Sequence, residues 1–290
     1  MNRCLAFIAA VLLAFVTVAS ACTAAPAQWI RFTLEPGGRS DVIQATFRNT
    51  ERANQENRWS TDFPASELVG LDLAGFRGAG SRPLRFAVIR EAGRLDCTGN
   101  GGQSYAGGYC SFTADSGFAA LLESRGIGRP STEQAFGLMA VNARRELIDT
   151  LSAARYPTPT IDNLMALTAL GVNGTYIGEM ARAGYRPATI DTLIQFKALG
   201  ITAQWISGFV RAGYGNLAAD ELVQLKALNV TPEFIAAFER IGYHHLPVEE
   251  LVQLKALNIT PEFVQRVAAV DSALPPVEKL VQLKAFSRKH

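Results

Sequence analysis

The sequence predicts an α+β protein, in which a small disulfide-stapled β-rich N-terminal domain is followed by an α-solenoid of 29-residue helix-turn-helix repeats. Three observations carry this expectation. The heptapeptide LVQLKAL at residues 222–228 returns at 251–257, as LVQLKAF at 280–286, and more loosely as LIQFKAL at 193–199 and LMALTAL at 164–170, always 29 residues apart. A fixed period of this length marks stacked supersecondary units. Upstream of about residue 115, hydrophobicity alternates with period two between glycine-rich breaks, the pattern of strands. Cys97 and Cys110 lie in that half and can pair in an oxidising compartment. The expected division is a signal peptide over 1–27, a β-rich domain with a short helix over 28–134, and an α-helical repeat domain over 135–290.

The first residues decide the compartment. Arg3 supplies a positive start, and Leu5 to Val18 is an apolar run with the length of a signal-peptide core rather than of a spanning helix. An A-x-A rule is met by a cut after Ala21 and by one after Ala27. The second cut removes Cys22 together with Cys4 and leaves Cys97 and Cys110 as one pair. A cut before Cys22 leaves a thiol for lipidation, and Ala19-Ser20-Ala21-Cys22 resembles a bacterial lipobox with Ala where an aliphatic residue usually stands. The expectation is a periplasmic or secreted protein; the alternative is a lipoprotein anchored at Cys22, the one case with membrane contact. A hydrophobic content of 48% is enough for a packed core, and a formal net charge of +2 gives no general attraction to nucleic acid.

In the first half, Ile30, Phe32 and Leu34 alternate with Trp29, Arg31 and Thr33 in a strand. Gly37-Gly38 turns the chain, and Val42 to Arg48 returns as a hairpin partner. Glu51 to Thr61 is polar and reads as an exposed loop. Leu84, Phe86 and Val88 alternate with Arg85, Ala87 and Ile89 in a further strand, and Glu91-Ala92-Gly93 reads as a bend or bulge. Between the two cysteines stand Gly99, Gly101, Gly102, Gly107 and Gly108, which predicts a flexible hairpin tip with a disulfide joining its strands. Ser116 to Arg125 is helix-like and Gly126, Gly128 and Pro130 break it, so residues 113–134 read as a helix and a linker.

Each repeat reads as two helices. In the first, Leu222, Leu225 and Leu228 form an apolar face with Val223 and Ala227, as Leu251, Leu254 and Leu257 do one copy later. It stops at Gly171, Gly200, Asn229 and Asn258, equivalent positions held by the residues that enter the left-handed conformation most cheaply. The second helix starts at an N-cap, Asn173, Thr202, Thr231 or Thr260, reinforced by Pro232-Glu233 and Pro261-Glu262. Trp205, Ile206 and Phe209, then Phe234, Ile235 and Phe238, form its buried face. Gly184-Tyr185, Gly213-Tyr214 and Gly242-Tyr243 end it, and Asp271-Ser272 in their place predicts a distorted last copy. Asp162, Asp191, Asp220, Glu249 and Glu278 recur at the first turn of the first helix, where a carboxylate gains about 0.3–1 kcal/mol from the helix dipole. A helix over 142–154 is already in phase, so the array starts half a unit before the first heptapeptide.

Catalytic motifs are missing from the sequence. It holds no HExxH, CxxC pair, GxxxxGK[ST] or GxSxG, and Gly102-Gln103-Ser104-Tyr105-Ala106 misses the last by one residue. His244 and His245 are adjacent on a turn with no third ligand, and His290 stands alone, so neither a metal nor a cofactor is expected. What recurs is surface chemistry. Lys197, Lys226, Lys255 and Lys284 hold equivalent positions, as do Gln195, Gln224, Gln253 and Gln282, with Ala166 and Thr168 in the first copy. Stacking turns them into a basic and an amide ladder, read either as solvated helix faces or as the lining of a groove for an acidic or extended partner.

The string LVQLKALNVTPEFIAAFERIGY resembles the tandem helical repeats in the extracytoplasmic tails of BlaR-type sensor metallopeptidases and in secreted bacterial proteins without the protease. Ser66-Glu67-Leu68-Val69-Gly70-Leu71, Arg90-Glu91-Ala92-Gly93 and Gly107-Gly108-Tyr109-Cys110-Ser111-Phe112 are similar to the segment that precedes those repeats. The protease domain and its HExxH have no counterpart here, so the resemblance implies a bacterial envelope protein for sensing or interaction and no peptidase. The expected function is a non-enzymatic exported scaffold that binds an envelope protein through the helical array. The alternative is a ligand-binding sensor or accessory component of an envelope signalling system, with a small-molecule pocket between the two domains. An enzyme built around Ser104 is a third reading.

Overall fold

The computed structural model describes residues 29–49, 57–271 and 273–287. The signal peptide expected over 1–27, its cleavage positions, lipidation at Cys22, and His290 all lie outside the described residues.

Strands β1 (Trp29–Pro36), β2 (Val42–Asn49), β3 (Asn57–Pro64), β4 (Arg82–Arg90), β5 (Gly93–Gly102) and β6 (Tyr105–Ala114) make one antiparallel sheet in the order β3-β2-β1-β6-β5-β4. Period-two alternation sets its faces: Ile30, Phe32 and Leu34 on β1 and Leu84, Phe86 and Val88 on β4 are buried, and a one-residue slip would expose the whole set. The loop expected over 51–61 is corrected in its described part. Residues 57–64 pair with β2 along their length, with Trp59, Thr61 and Phe63 turned inward and the polar residues between them forming the outer row.

The β5–β6 hairpin holds the expected disulfide between directly opposed Cys97 and Cys110, but its glycines are not a flexible tip. The turn is only Gln103 and Ser104, both at positive φ (55° and 62°), the backbone that a tight two-residue hairpin requires. The glycines lie within the strands, and at Gly99, Gly102 and Gly108 neighbouring backbone comes too close for a side chain. A Cβ on Gly99 would sit 2.2 Å from the Gly107 carbonyl oxygen, and one on Gly108 would sit 2.2 Å from that of Thr98.

Helix α1 (Leu73–Arg77) sits at the hairpin end, where the Gln103 and Ser104 amides donate to the Gly78 and Phe76 carbonyls. The remaining helices are α2 (Ser116–Ser124), α3 (Thr132–Ala140), α4 (Arg145–Ala153), α5 (Ile161–Ala169), α6 (Gly174–Arg182), α7 (Ile190–Ala198), α8 (Ala203–Arg211), α9 (Ala219–Ala227), α10 (Pro232–Glu239), α11 (Val248–Ala256), α12 (Pro261–Asp271) and α13 (Val277–Ser287). Odd-numbered helices from α3 onward start 29 residues apart, and so do even-numbered ones from α2 onward. Side-chain caps start α6, α8, α10 and α12: the Asn173 carboxamide and the Thr202, Thr231 and Thr260 hydroxyls each accept the amide three residues on, as the sequence predicts. Asn142, Gly171, Gly200, Asn229 and Asn258 end the odd series at φ between 52° and 70°. In α12, Asp271 replaces the glycine that caps its equivalents, and the helix runs for 11 residues where α8 has nine.

The expected fold, a small stapled β domain followed by an α-solenoid, is corrected by this arrangement. A six-stranded antiparallel sheet passes directly into a helical region, with thirteen α-helices among the described residues. The segment read as helix plus linker contains α2 and the start of α3, both already in the 29-residue register, and α3 packs on β5 and β6. One buried cluster therefore runs from Ile30 on β1 to Leu222 on α9. A second, which includes Phe209, Leu225 and Leu280, fills the end of the helical region. The period in the sequence reports register along the chain, and it does not report which copies bury their faces against the sheet.

One side chain links the two edge strands of the sheet. The guanidinium of Arg90, at the end of β4, lies 5.0 Å from the ring centre of Phe63 and 5.7 Å from that of Trp59, both on the opposite edge strand β3. It donates to the Met139 and Ala140 carbonyls at the C-terminus of α3 (2.9 and 2.7 Å) and reaches Glu67 at 3.4 Å. Burial pulls its pKa below the ordinary arginine value, with Glu67 opposing. On α3, Phe136 sets its ring edge-on to Trp59 and Phe112.

Arg90→Met keeps much of the volume and removes the donors, so urea unfolding should show a loss of about 2–4 kcal/mol. An unchanged midpoint would mean that stability does not depend on this side chain. Replacing Cys97 and Cys110 together by Ala is expected to cost about 2–4 kcal/mol in the same measurement.

Candidate interaction surface

The recurrent lysines stand on recurrent rings. Lys197 on α7, Lys226 on α9, Lys255 on α11 and Lys284 on α13 place Nζ 4.4, 5.1, 4.8 and 4.8 Å from the ring centres of Tyr176, Trp205, Phe234 and Phe263. These rings are themselves 29 residues apart, each at the third position of an even-numbered helix. Their backbone amides are the ones that the N-caps Asn173, Thr202, Thr231 and Thr260 accept. Capping thus positions each ring, and the ring positions the ammonium of the next odd-numbered helix. Such a pair is worth about 0.5–1 kcal/mol at an exposed site and more where water is excluded. The lysines are half-buried, with stems packed and charged ends outward. One copy upstream the same positions hold Leu147 and Thr168, so this column starts at Lys197.

The glutamines do not join it. Gln195, Gln224, Gln253 and Gln282 precede the lysines by two residues, which is about 200° around a helix, and all four are exposed. The two ladders therefore run on different sides of the odd-numbered helices rather than lining one groove.

Two further contacts between copies escaped the sequence reading. Asp162 and Asp191, at the first turns of α5 and α7, accept hydrogen bonds from the carboxamides of Gln134 and Asn163, one copy earlier. Those amide side chains also close capping boxes with Ser131 and Thr160. The tyrosines that follow the even-numbered helices also reach onward: Tyr214 donates to the Leu246 carbonyl at 2.8 Å, and Tyr243, whose ring packs edge-on to Phe238 of its own helix, donates to that of Pro275. Tyr176 likewise donates to the Ile201 carbonyl at 2.8 Å. Burial pushes its phenol up to about 12 from an ordinary value of 10.0, with nearby Tyr156 adding to the shift.

Among the described residues no group of three His, Cys, Asp or Glu side chains is placed to hold a metal ion; His245 sits beside the Tyr214 ring. Ser104 is a turn residue whose amide is bound to Phe76. No helix among the described residues is long and apolar enough to cross a membrane. Comparison with protein-family models, curated proteins and solved structures gives no match for this chain.

The Tyr176 shift fixes the sign of a pH effect. The unfolded state releases the phenolic proton first, near pH 10, so the stabilisation from keeping Tyr176 neutral is complete below pH 10 and lost as pH rises toward 12. Absorbance at 295 nm should show a late-titrating tyrosine in the folded protein that Tyr176→Phe removes; a titration unchanged by that substitution would contradict the buried hydrogen bond.

Proposed function

We propose that this chain is a non-enzymatic, exported scaffold that binds a protein partner of the bacterial cell envelope through its helical region. The observation that carries the reading is the column of lysines on rings, which holds Lys197, Lys226, Lys255 and Lys284 at matching places along the surface. An ammonium held in place by a ring loses little further freedom on meeting a carboxylate, and preorganisation of this kind raises affinity. An extended acidic segment fits such a row. The C-terminal end of the region adds apolar surface, with Val270 84% and Phe286 68% exposed, of the sort that marks contact sites when contiguous. Export agrees with the Cys97–Cys110 disulfide and with the leader-like residues 1–27, and the resemblance to BlaR-type sensor tails points to the same compartment.

A photocrosslinking residue in place of Lys197 or Lys284, within the lysine column, in cells making the full chain, is expected to capture one reproducible envelope protein. Lys226→Gln combined with Lys255→Gln should weaken that complex at least about tenfold, while two lost cation–π pairs lower stability by only about 1–2 kcal/mol. Capture unaffected by the double substitution would return the lysines to an ordinary solvated face.

A further inference from the structure

The outer face of the sheet carries a row of cations without ion-pair partners, with Glu35 and Asp62 two rows away. Arg58 on β3 is the cross-strand neighbour of Arg48 on β2, which is the neighbour of Arg31 on β1; Tyr109 on β6, Thr98 on β5 and Arg85 on β4 continue the row. All six residues are exposed. Like charges placed directly opposite one another destabilise a sheet. Arg31 lies over the Tyr109 ring, 5.7 Å from its centre, and no carboxylate forms a salt bridge with Arg31, Arg48 or Arg58 among the described residues. The adjacent row is made of hydroxyls, Ser60, Thr46 and Thr33, and it ends at Gly107. Thr46 and Ser60 hydrogen-bond each other at 2.8 Å.

Arg31, Arg48, Arg58, Thr33 and Thr46 from these rows line an open groove of about 590 Å³, in which Glu35 supplies the one carboxylate. Gly107 and Gly108 leave its floor without side chains. Tyr105 and Tyr109 stand at its rim, 53% and 45% exposed, far more than the tyrosines that stitch the helical copies together. A carboxylate bridging two guanidiniums would take two bidentate sets of hydrogen bonds and convert a repulsive row into an attractive one. Neighbouring strands are about 4.7–4.9 Å apart, close to the rise of one pyranose in an extended glycan. The hydroxyls and Gln44 suit sugar hydroxyls, and exposed phenol faces suit the apolar faces of sugar rings.

We propose that this face binds an acidic oligosaccharide, its carboxylates taken by Arg31, Arg48 and Arg58 and its ring faces by Tyr105 and Tyr109. The site is separate from the lysine column and stands independently of the scaffold reading.

Calorimetric titration of the purified chain with a hexauronate tests it, alongside a neutral hexasaccharide and a hexaglutamate peptide. The hexauronate should bind measurably more tightly than either. Arg48→Gln and Arg58→Gln are each expected to weaken it about tenfold or more, and Tyr109→Ala should weaken it with little change in salt dependence. Because they relieve like-charge repulsion, the two arginine variants should unfold at the same or a higher temperature, which separates loss of a site from loss of the fold. Absence of hexauronate binding, affinity unaltered by the arginine substitutions, or equal binding of hexaglutamate would overturn the proposal.

Discussion

The architecture depends on one buried guanidinium. An antiparallel sheet of six strands has two edges, each a row of unpaired amides and carbonyls that invites association. Here Arg90, at the end of β4, links the two, bonded to the carbonyls that end α3 and stacked on Phe63 and Trp59 of β3. Its Nε finds no partner, so part of the cost of burying the charge is left uncompensated. A neutral side chain would avoid that cost, but it would take from the Ala140 carbonyl its guanidinium donor and leave that of Met139 only the Asn142 amide. Because α3 is the first helix of the odd-numbered 29-residue series and α5 packs on it, the contact that links the two edge strands also places the start of the helical region.

From α3 onward the same chemistry serves folding and surface together. A threonine or asparagine cap holds the amide of the residue whose ring carries the next lysine. Carboxamides of the capping boxes also reach the next acidic residue, and tyrosine hydroxyls reach carbonyls of the following copy. No helix after α1 exceeds eleven residues, a length that is marginal in isolation. These cross-copy bonds therefore matter beyond their individual strength, since each helix gains its stability from the one beside it.

What the residues disclosed in advance was local. N-caps at Asn173, Thr202, Thr231 and Thr260, helix stops at Gly171 and Asn229, and the Cys97–Cys110 pair are all consequences of one residue's own preferences or of a short separation. What stayed hidden was tertiary. Trp59 and Phe63 are spaced as an inward row of β3, but the polar residues between them masked it. Gly99 and Gly108 read as flexible because a sequence does not show which backbone passes within van der Waals distance. Ser116 and Thr132 start helices in the 29-residue register, yet their copies lack the heptapeptide, so the passage from sheet to helices looked like a linker. The joint groove for lysine and glutamine was legible as an error from helix geometry alone, because two residues on a helix separate them by more than half a turn.

The same cation type of charge is handled in two opposite ways. Along the helices each ammonium rests on a ring, which lowers its energy without removing its charge, and the array keeps its stability whether or not anything binds. On the sheet, Arg58, Arg48 and Arg31 are juxtaposed by strand register, and register is set by burial of the opposite face, with Phe47 and Phe32 directly opposed on neighbouring strands. The arginines cannot move apart by slipping, since one step would bring those rings into water. Their repulsion is therefore built in, and a net charge of +2 over the whole chain conceals it. A ligand that relieves such a strain draws on free energy the fold has already spent.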